Sequence, residues 1–142
     1  MRLRVLAATI ALACLASTAV DAASLRVAPI DLDVPSGTKL TTLHVWNTDK
    51  VPVRVQVRVF RWTKNGKDDV LTPTKDVVAS PPIGTLKPGS ENLVRIVRVA
   101  TTPVGKHENY RVLVDQLPDP KDQKAGVVSI VVRHAIPLYF EP

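Results

Sequence analysis

Cysteine is almost missing from this sequence of 142 residues, since Cys14 is the only one. Cys14 lies inside an apolar stretch near the N-terminus, so the chain after it has no thiol. Disulfides and cysteine-ligated metal sites are therefore excluded from everything beyond that stretch.

Long apolar runs are also scarce, and the uncharged run Val5–Ala16 falls short of the roughly 20 residues that span a bilayer. Arginines precede this run, and small residues follow it, with Val20 and Ala22 placed as a cleavage site requires. The stretch therefore predicts a secretory signal peptide over residues 1–22 rather than a transmembrane anchor. A lipoprotein signal with Cys14 as the lipidated N-terminus is the alternative, and the preceding "IALA" fits it only loosely.

Residues 23–142 remain after this cleavage, which is the size of one domain with a single core. No stretch within them is long and apolar enough to span a membrane. We therefore expect an exported domain without a membrane span in the mature chain.

Aromatic residues make up only 4% of the sequence, although its net charge is +6. The arginines are scattered through apolar segments, with too few aromatics between them to form a platform for stacked bases. Such scattered basic residues are typical of solvated strand faces and edges. Nucleic acid is therefore not expected as a partner.

Residue patterns that carry chemistry are missing as well. The histidines His44, His107 and His134 stand alone, without the spacing of metal ligands. No serine lies in a nucleophile-elbow context, and no phosphate-binding pattern surrounds Gly84 or Gly89. The sequence thus predicts no enzyme, with no catalytic residue, no metal site and no cofactor.

What the sequence does contain is strand patterning. In "VPVRVQVRVFRW" the valines from Val51 to Val59 alternate with other residues, which is the pattern of a half-buried antiparallel strand. Asn65-Gly66 is a hairpin signal, and Pro29 favours a kinked edge strand near the N-terminus. Short strands between turn residues, with no sustained helical period, predict an all-β antiparallel sandwich.

The final stretch, "GVVSIVVRHAIPLYFEP", predicts a strand that is apolar on both faces. A strand on the outside of a soluble protein usually has one polar face. From the residues alone, two explanations remain open. Either the strand is buried on both sides by its own protein, or another protein covers its second face.

Three phrases in order, "SPPIGTLKPGSENLVRIVR", "NYRVLVDQLP" and the final stretch, resemble one family. They look like the N-terminal immunoglobulin-like domain of the periplasmic PapD-like pilus chaperones, with features of the archaic chaperone-usher branch. The resemblance runs from Ser24 to Pro142. It implies an immunoglobulin-like antiparallel sandwich in the periplasm that binds a pilin or fimbrial subunit, with an outer-membrane usher as a further partner.

The resemblance also implies a role for the last strand. In this family the strand completes an unfinished subunit by β-strand addition, in which backbone hydrogen bonds hold it and its side chains fill the subunit's open core. The matching residues here are Val128, Ile130 and Val132. The residues of opposite parity, such as Val131, are then expected to face the chaperone's own core.

Two basic anchors of the family are missing from this chain. The family holds the subunit's C-terminal carboxylate with an arginine and a lysine, and the matching positions are Asp31 and Pro137. An aspartate would repel a carboxylate. Arg26 and Arg133 are the candidate replacements for this contact.

A structural ion pair is implied by the same resemblance. The family has a strand arginine that braces the sandwich or the domain junction, and Arg95 is the matching residue. By analogy, its expected partner is Glu108.

Members of the family have two immunoglobulin-like domains, whereas residues 23–142 account for one. Either the chain is a one-domain variant, or the sequence stops short of the second domain. The alternative to a chaperone is a structural or adhesive surface module built on the same sandwich. A pilin would carry an alternating N-terminal donor extension, and "ASLRVAPIDLDV" is short and broken by proline, which favours the chaperone.

Overall fold

A computed structural model describes residues 24–126, 128 and 130–142. The predicted signal peptide, residues 1–22, lies outside this part of the chain. Strands account for most of it: β1 (Leu25–Ala28), β2 (Leu32–Val34), β3 (Leu40–Asn47), β4 (Val53–Asn65), β5 (Asp68–Pro73), β6 (Val77–Ser80), β7 (Ile83–Leu86), β8 (Glu91–Arg98), β9 (Glu108–Leu117) and β10 (Arg133–Phe140), with a 3₁₀ turn at Pro120–Asp122.

The strands form two sheets that pack face to face around one apolar core. One sheet has four strands in the order β1-β3-β8-β6, and the other has six, in the order β2-β10-β9-β4-β5 with β7 also paired to β4. All pairs are antiparallel except β10 with β2. The predicted immunoglobulin-like antiparallel sandwich is confirmed.

The longest strand, β4, follows the predicted alternation. Val53, Val55 and Val57 are buried, whereas Arg54 between them is exposed. The prediction was wrong for Val51, which is exposed because it lies in the turn before β4.

The predicted turns are also found. Asn65 pairs with Asp68, so Gly66 and Lys67 form the turn between β4 and β5, and Gly66 has the positive φ, 63°, that this turn requires. Pro29 lies where the chain leaves β1 at the edge of one sheet and crosses to β2 at the edge of the other. The N-terminal segment is therefore the kinked edge strand that the sequence predicts.

The junction of β3, β4 and β7 depends on a buried amide, Asn47. Its Nδ2 donates to Val51 O at 2.8 Å and to Leu86 O at 3.0 Å, and its Oδ1 accepts from Asp49 N at 2.8 Å. A buried polar side chain is tolerated only when its hydrogen bonds are made. Here these bonds fix the turn that leads into β4.

We expect Asn47→Asp to lower the free energy of unfolding by about 2 kcal/mol or more, because the carbonyl groups of Val51 and Leu86 lose their donor and a charge is placed at a buried position. Urea denaturation at neutral pH measures this loss. Asn65→Asp makes the same chemical change at an exposed residue and should leave the midpoint nearly unchanged. Equal midpoints for the two variants would contradict the structural role of Asn47.

Candidate functional site

The last strand, β10, is paired on both sides over only part of its length. It pairs with β9 from Arg133 to Phe140, but with β2 only from Leu138 to Phe140. Within the described residues, the segment from Arg133 to Pro137 therefore has an open edge. An open edge presents backbone groups that another chain can pair with.

Hydrogen bonding shows which backbone groups lie on this edge. Gln116 N donates to Val132 O at 2.9 Å, so this pair is hydrogen-bonded across β9 and β10. Because antiparallel residues alternate in the direction of their N–H and C=O groups, Arg133 and Ala135 direct theirs away from β9. These groups face the open edge.

The predicted subunit-binding residues Val128, Ile130 and Val132 are called the binding row, and they share the parity of the core face of β10. Ile136 and Leu138 on that face are buried in the sandwich. Val128 and Ile130 are 87% and 85% exposed, and Val132 is half-buried. The row therefore begins at the end of the core and continues into solvent.

Two differences from the sequence analysis concern this row. The final strand begins at Arg133, so the row itself precedes the strand. Val131 was expected in the core, but it is 46% exposed, and Ala135 of the same parity is exposed too. The expectation was wrong because the even-numbered residues provide the core face of β10. Val127, which has the same parity as Val131, lies outside the described residues.

An open groove of about 400 Å³ lies beside the row. Its walls include Val51 and Arg54 on one side, Leu117 on another, and Ile130 itself. The space next to Ile130 is therefore available to a partner side chain.

The two candidate carboxylate contacts, Arg26 and Arg133, do not form one site. Arg26 alternates with buried residues of β1, lies on the outer face of the four-stranded sheet and stacks over Trp46 at 4.5 Å from the ring centroid. Arg133 lies on the outer face of the opposite sheet and bonds Asp115. Strand alternation thus places the two guanidinium groups on opposite sides of the sandwich.

Asp115 is held by two arginines on that outer face. Arg133 donates to it, and Arg58 Nη2 donates at 2.7 Å. Burial by itself raises the pKa of Asp115, but the hydrogen bonds from Arg133 and Arg58 outweigh burial, and the pKa lies below its ordinary value. Arg133 is therefore already paired in the free chain.

The two positions that match the family's basic anchors hold no basic side chain. Asp31 is exposed between β1 and β2. Pro137 lies opposite Arg111 of β9, and the Arg111 guanidinium packs 4.0 Å from the centroid of the Trp62 ring.

Glu108 forms a structural ion pair, but its partner is Arg98 and not Arg95. Arg98 is only 3% exposed, and its Nε and Nη2 donate to the two Glu108 carboxylate oxygens at 2.8 and 2.9 Å. Arg95 is exposed. The prediction was wrong because Val94 and Ile96 set the inward parity of β8, which Arg98 shares and Arg95 does not.

The pair belongs to a larger network that sequence reasoning missed. Tyr110 is fully buried, and its hydroxyl donates to Glu108 Oε2 at 2.9 Å and accepts from Arg61 Nη2 at 3.0 Å. Arg61 also donates to Asp76 Oδ2 at 2.6 Å. The hydrogen bonds from Arg98 lower the pKa of Glu108, and burial raises that of Tyr110.

The remaining titratable side chains do not gather into a reactive site. His44 stacks on Trp46, whereas His107 pairs with Glu141 and His134 donates to Leu25 O at 3.0 Å. Among the residues that the structure describes, no cluster of His, Cys, Asp and Glu is arranged to hold a metal ion. That part of the chain also has no helix that could cross a membrane.

We expect Arg98→Met to lower the free energy of unfolding by about 3 kcal/mol, because the largely buried Glu108 carboxylate loses both hydrogen bonds from Arg98 and keeps the one from Tyr110. The matched control, Arg95→Met, removes an exposed arginine three residues away on the same strand and should change stability little. Chemical denaturation of both variants measures the difference. Similar losses would show that the position of the charge in β8 is unimportant.

The lowered pKa of Glu108 predicts a loss of stability in acid. A carboxylate whose pKa is lower in the folded state stabilises the fold above its unfolded pKa, about 4.3, and this stabilisation is lost as the pH falls through the lower folded value. Thermal unfolding between pH 6 and about 2 should show this decline. In Glu108→Gln the decline should be smaller, and an unchanged pH profile would argue against a role for this carboxylate.

A family model described as the PapD N-terminal domain of pili and flagellar-assembly chaperones matches residues 24–142. Two curated proteins of Escherichia coli are similar at 27% identity each. They are the uncharacterized fimbrial chaperone YhcA of strain K12, matched over 71% of this chain and 42% of its own length, and the chaperone protein PapD, matched over 73% and 43%. The chain thus spans less than half the length of these relatives.

Solved structures include similar folds. The CsuC-CsuE chaperone–tip adhesion subunit complex of archaic Csu pili from Acinetobacter baumannii contains a chain with 31% identity and a TM-score of 0.71, covering 84% of this chain and 52% of that one. A chain of the Salmonella enterica complex of SafA pilin with the SafB chaperone has 22% identity and a TM-score of 0.67, covering 87% and 57%. The second shows the fold alone.

Proposed function

The chain belongs to the PapD N-terminal domain family of pili and flagellar-assembly chaperones, and on this premise we propose that it is a periplasmic chaperone for pilus or fimbrial subunits. It would hold a subunit by β-strand addition through the residues that precede and begin β10. The activity is binding, and no bond-making step is part of the proposal.

One observation carries this proposal: the core face of β10 continues as an apolar row beyond the end of the sandwich. Val128 and Ile130 in that row are almost fully exposed. Large apolar side chains in such a position mark a surface that is covered by a partner. The open edge at Arg133 and Ala135 supplies the backbone groups that strand addition needs.

The relatives support the same assignment. The matching chain at 31% identity comes from a complex of a chaperone with a tip adhesion subunit. The alternative, a structural or adhesive surface module, has no comparable support, because both curated relatives are named as chaperones.

Location and domain organisation are part of the proposal. Pilus chaperones of this family act in the periplasm, and the signal peptide predicted over residues 1–22 would direct the chain there. Residues 23–142 would form one immunoglobulin-like domain of the family. N-terminal sequencing of the exported protein should find Ala23 first, and a retained Met1 or a lipid-modified Cys14 would contradict it.

Subunit capture tests the function directly. We expect the chain to co-purify with the CsuE tip adhesion subunit or the SafA pilin when each is co-expressed with it. Each apolar side chain buried in a subunit groove stabilises the complex by roughly 1.5–3 kcal/mol. Ile130→Ala should therefore weaken capture about ten- to a hundredfold, at about 1.4 kcal/mol per factor of ten, and Ile130→Asp should abolish it.

Two control variants separate loss of binding from loss of folding. Val78→Asp places the same charge on an exposed valine of β6 in the four-stranded sheet, away from the groove, and it should fold and still capture a subunit. Ile136→Asp buries an unpaired charge in the core and should unfold the domain. Capture of neither subunit by the parent, or undiminished capture by Ile130→Asp, would rule out the proposed function.

A further inference from the structure

The end of β9 nearest the binding row carries an amide on its core face. Tyr110, Val112 and Val114 are fully buried on that face, and Gln116 is the next residue of the same parity. Its side chain is half-buried. A polar residue that follows a run of core residues requires hydrogen-bond partners.

Gln116 finds its partners in two parts of the fold. Its Oε1 accepts from Ser24 Oγ at 2.8 Å and from Val132 N at 3.4 Å, and its backbone N–H donates to Val132 O at 2.9 Å. Ser24 directly precedes β1 of the four-stranded sheet, whereas Val132 directly precedes β10 of the six-stranded sheet. The single side chain of Gln116 thus ties both sheets to the base of the binding row.

Beyond Gln116, the backbone opposite the row lacks a hydrogen-bond donor. By the register that pairs Val132 with Gln116, Ile130 would lie opposite Pro118. Proline has no N–H and cannot donate to a strand ladder. Pro118 therefore cannot donate to Ile130, and the row is bonded to β9 at Val132.

We propose that Gln116 is a positioning residue, which fixes the point and the orientation at which the row leaves the sandwich and so sets the register of pairing with a subunit. This inference rests on the proposed function. A shift of one residue along a strand exchanges its two faces, so a row that is free to rotate at Val132 would present Val131 instead of Ile130. Fixing Val132 in advance also reduces the ordering cost of capture.

The contacts of Gln116 suggest a sharp choice of variants. Both side-chain hydrogen bonds use Oε1 as the acceptor, and a glutamate carboxylate accepts in the same way. Gln116→Glu should therefore preserve the hydrogen bonds from Ser24 and Val132, whereas Gln116→Met has a similar size and removes both. Ser24→Ala removes the contact to β1 without altering Gln116.

Amide hydrogen exchange of the free chain tests whether the Gln116 side chain holds Val132, and it needs no partner protein. In Gln116→Met, exchange at Val132 should accelerate about tenfold relative to the parent, which corresponds to about 1.4 kcal/mol. Gln116→Glu should exchange like the parent at Val132, and Val114 in the core should be unchanged in both. Equal rates at Val132 in the parent and Gln116→Met would overturn the inference.

Capture of the CsuE subunit then tests the consequence for binding. We expect Gln116→Met to weaken capture about tenfold, Gln116→Glu to restore it, and Ser24→Ala to fall between them. Should Gln116→Met fail to fold, Ser24→Ala alone must show faster exchange at Val132 and weaker capture for the inference to stand. Equally weakened capture by Gln116→Met and Gln116→Glu would indicate a merely structural role and refute positioning.

The outcomes for the two proposals remain distinguishable. If Ile130→Asp captures CsuE as well as the parent does, the proposed function fails, whatever the exchange rates are. If Ile130→Asp abolishes capture while Gln116→Met binds like the parent, the function stands and the positioning role of Gln116 fails.

Discussion

The ion pair of Arg98 and Glu108 joins the two sheets and fixes the start of β9, the strand against which β10 is paired. Arg98 is the last residue of β8 in one sheet, and Glu108 is the first residue of β9 in the other. The two-point hydrogen bond between them sets where β9 starts relative to the facing sheet. Since β10 pairs with β9 along its length, a shift at the start of β9 would also displace β10.

Strand β9 is thus anchored by polar contacts at both ends and by apolar packing between them. At its start, Glu108 and Tyr110 belong to the arginine network; near its end, Gln116 bonds Ser24 and Val132. Polar contacts have directional requirements that apolar packing lacks. Polar contacts at the two ends of β9 therefore explain how a sandwich whose core is largely valine and leucine can hold this strand in a defined register.

The sequence was sufficient wherever local alternation determined the structure. The pattern of β4 and the turn at Gly66 depend only on neighbouring residues, and both were predicted. In "ENLVRIVR", by contrast, apolar residues occur at both parities, so the pattern alone could not tell whether Arg95 or Arg98 faces the core. The partners of Asn47 and Gln116 are distant in sequence or belong to the backbone, and no local pattern indicates them.

An exposed apolar row next to an open edge carries a cost, because both features promote self-association. The structure limits this cost on the strand itself. The outward residue at the start of the open edge is Arg133, whose charge is paired with the buried Asp115, and Pro137 removes a donor farther along the same edge. Among the described residues, Val128 and Ile130 in the segment before β10 are the most exposed large apolar side chains. A partner that fills the groove beside Ile130 would also cover Val51 and Val131, which line the same groove, and so would hide apolar surface that otherwise promotes stacking of the chain on itself.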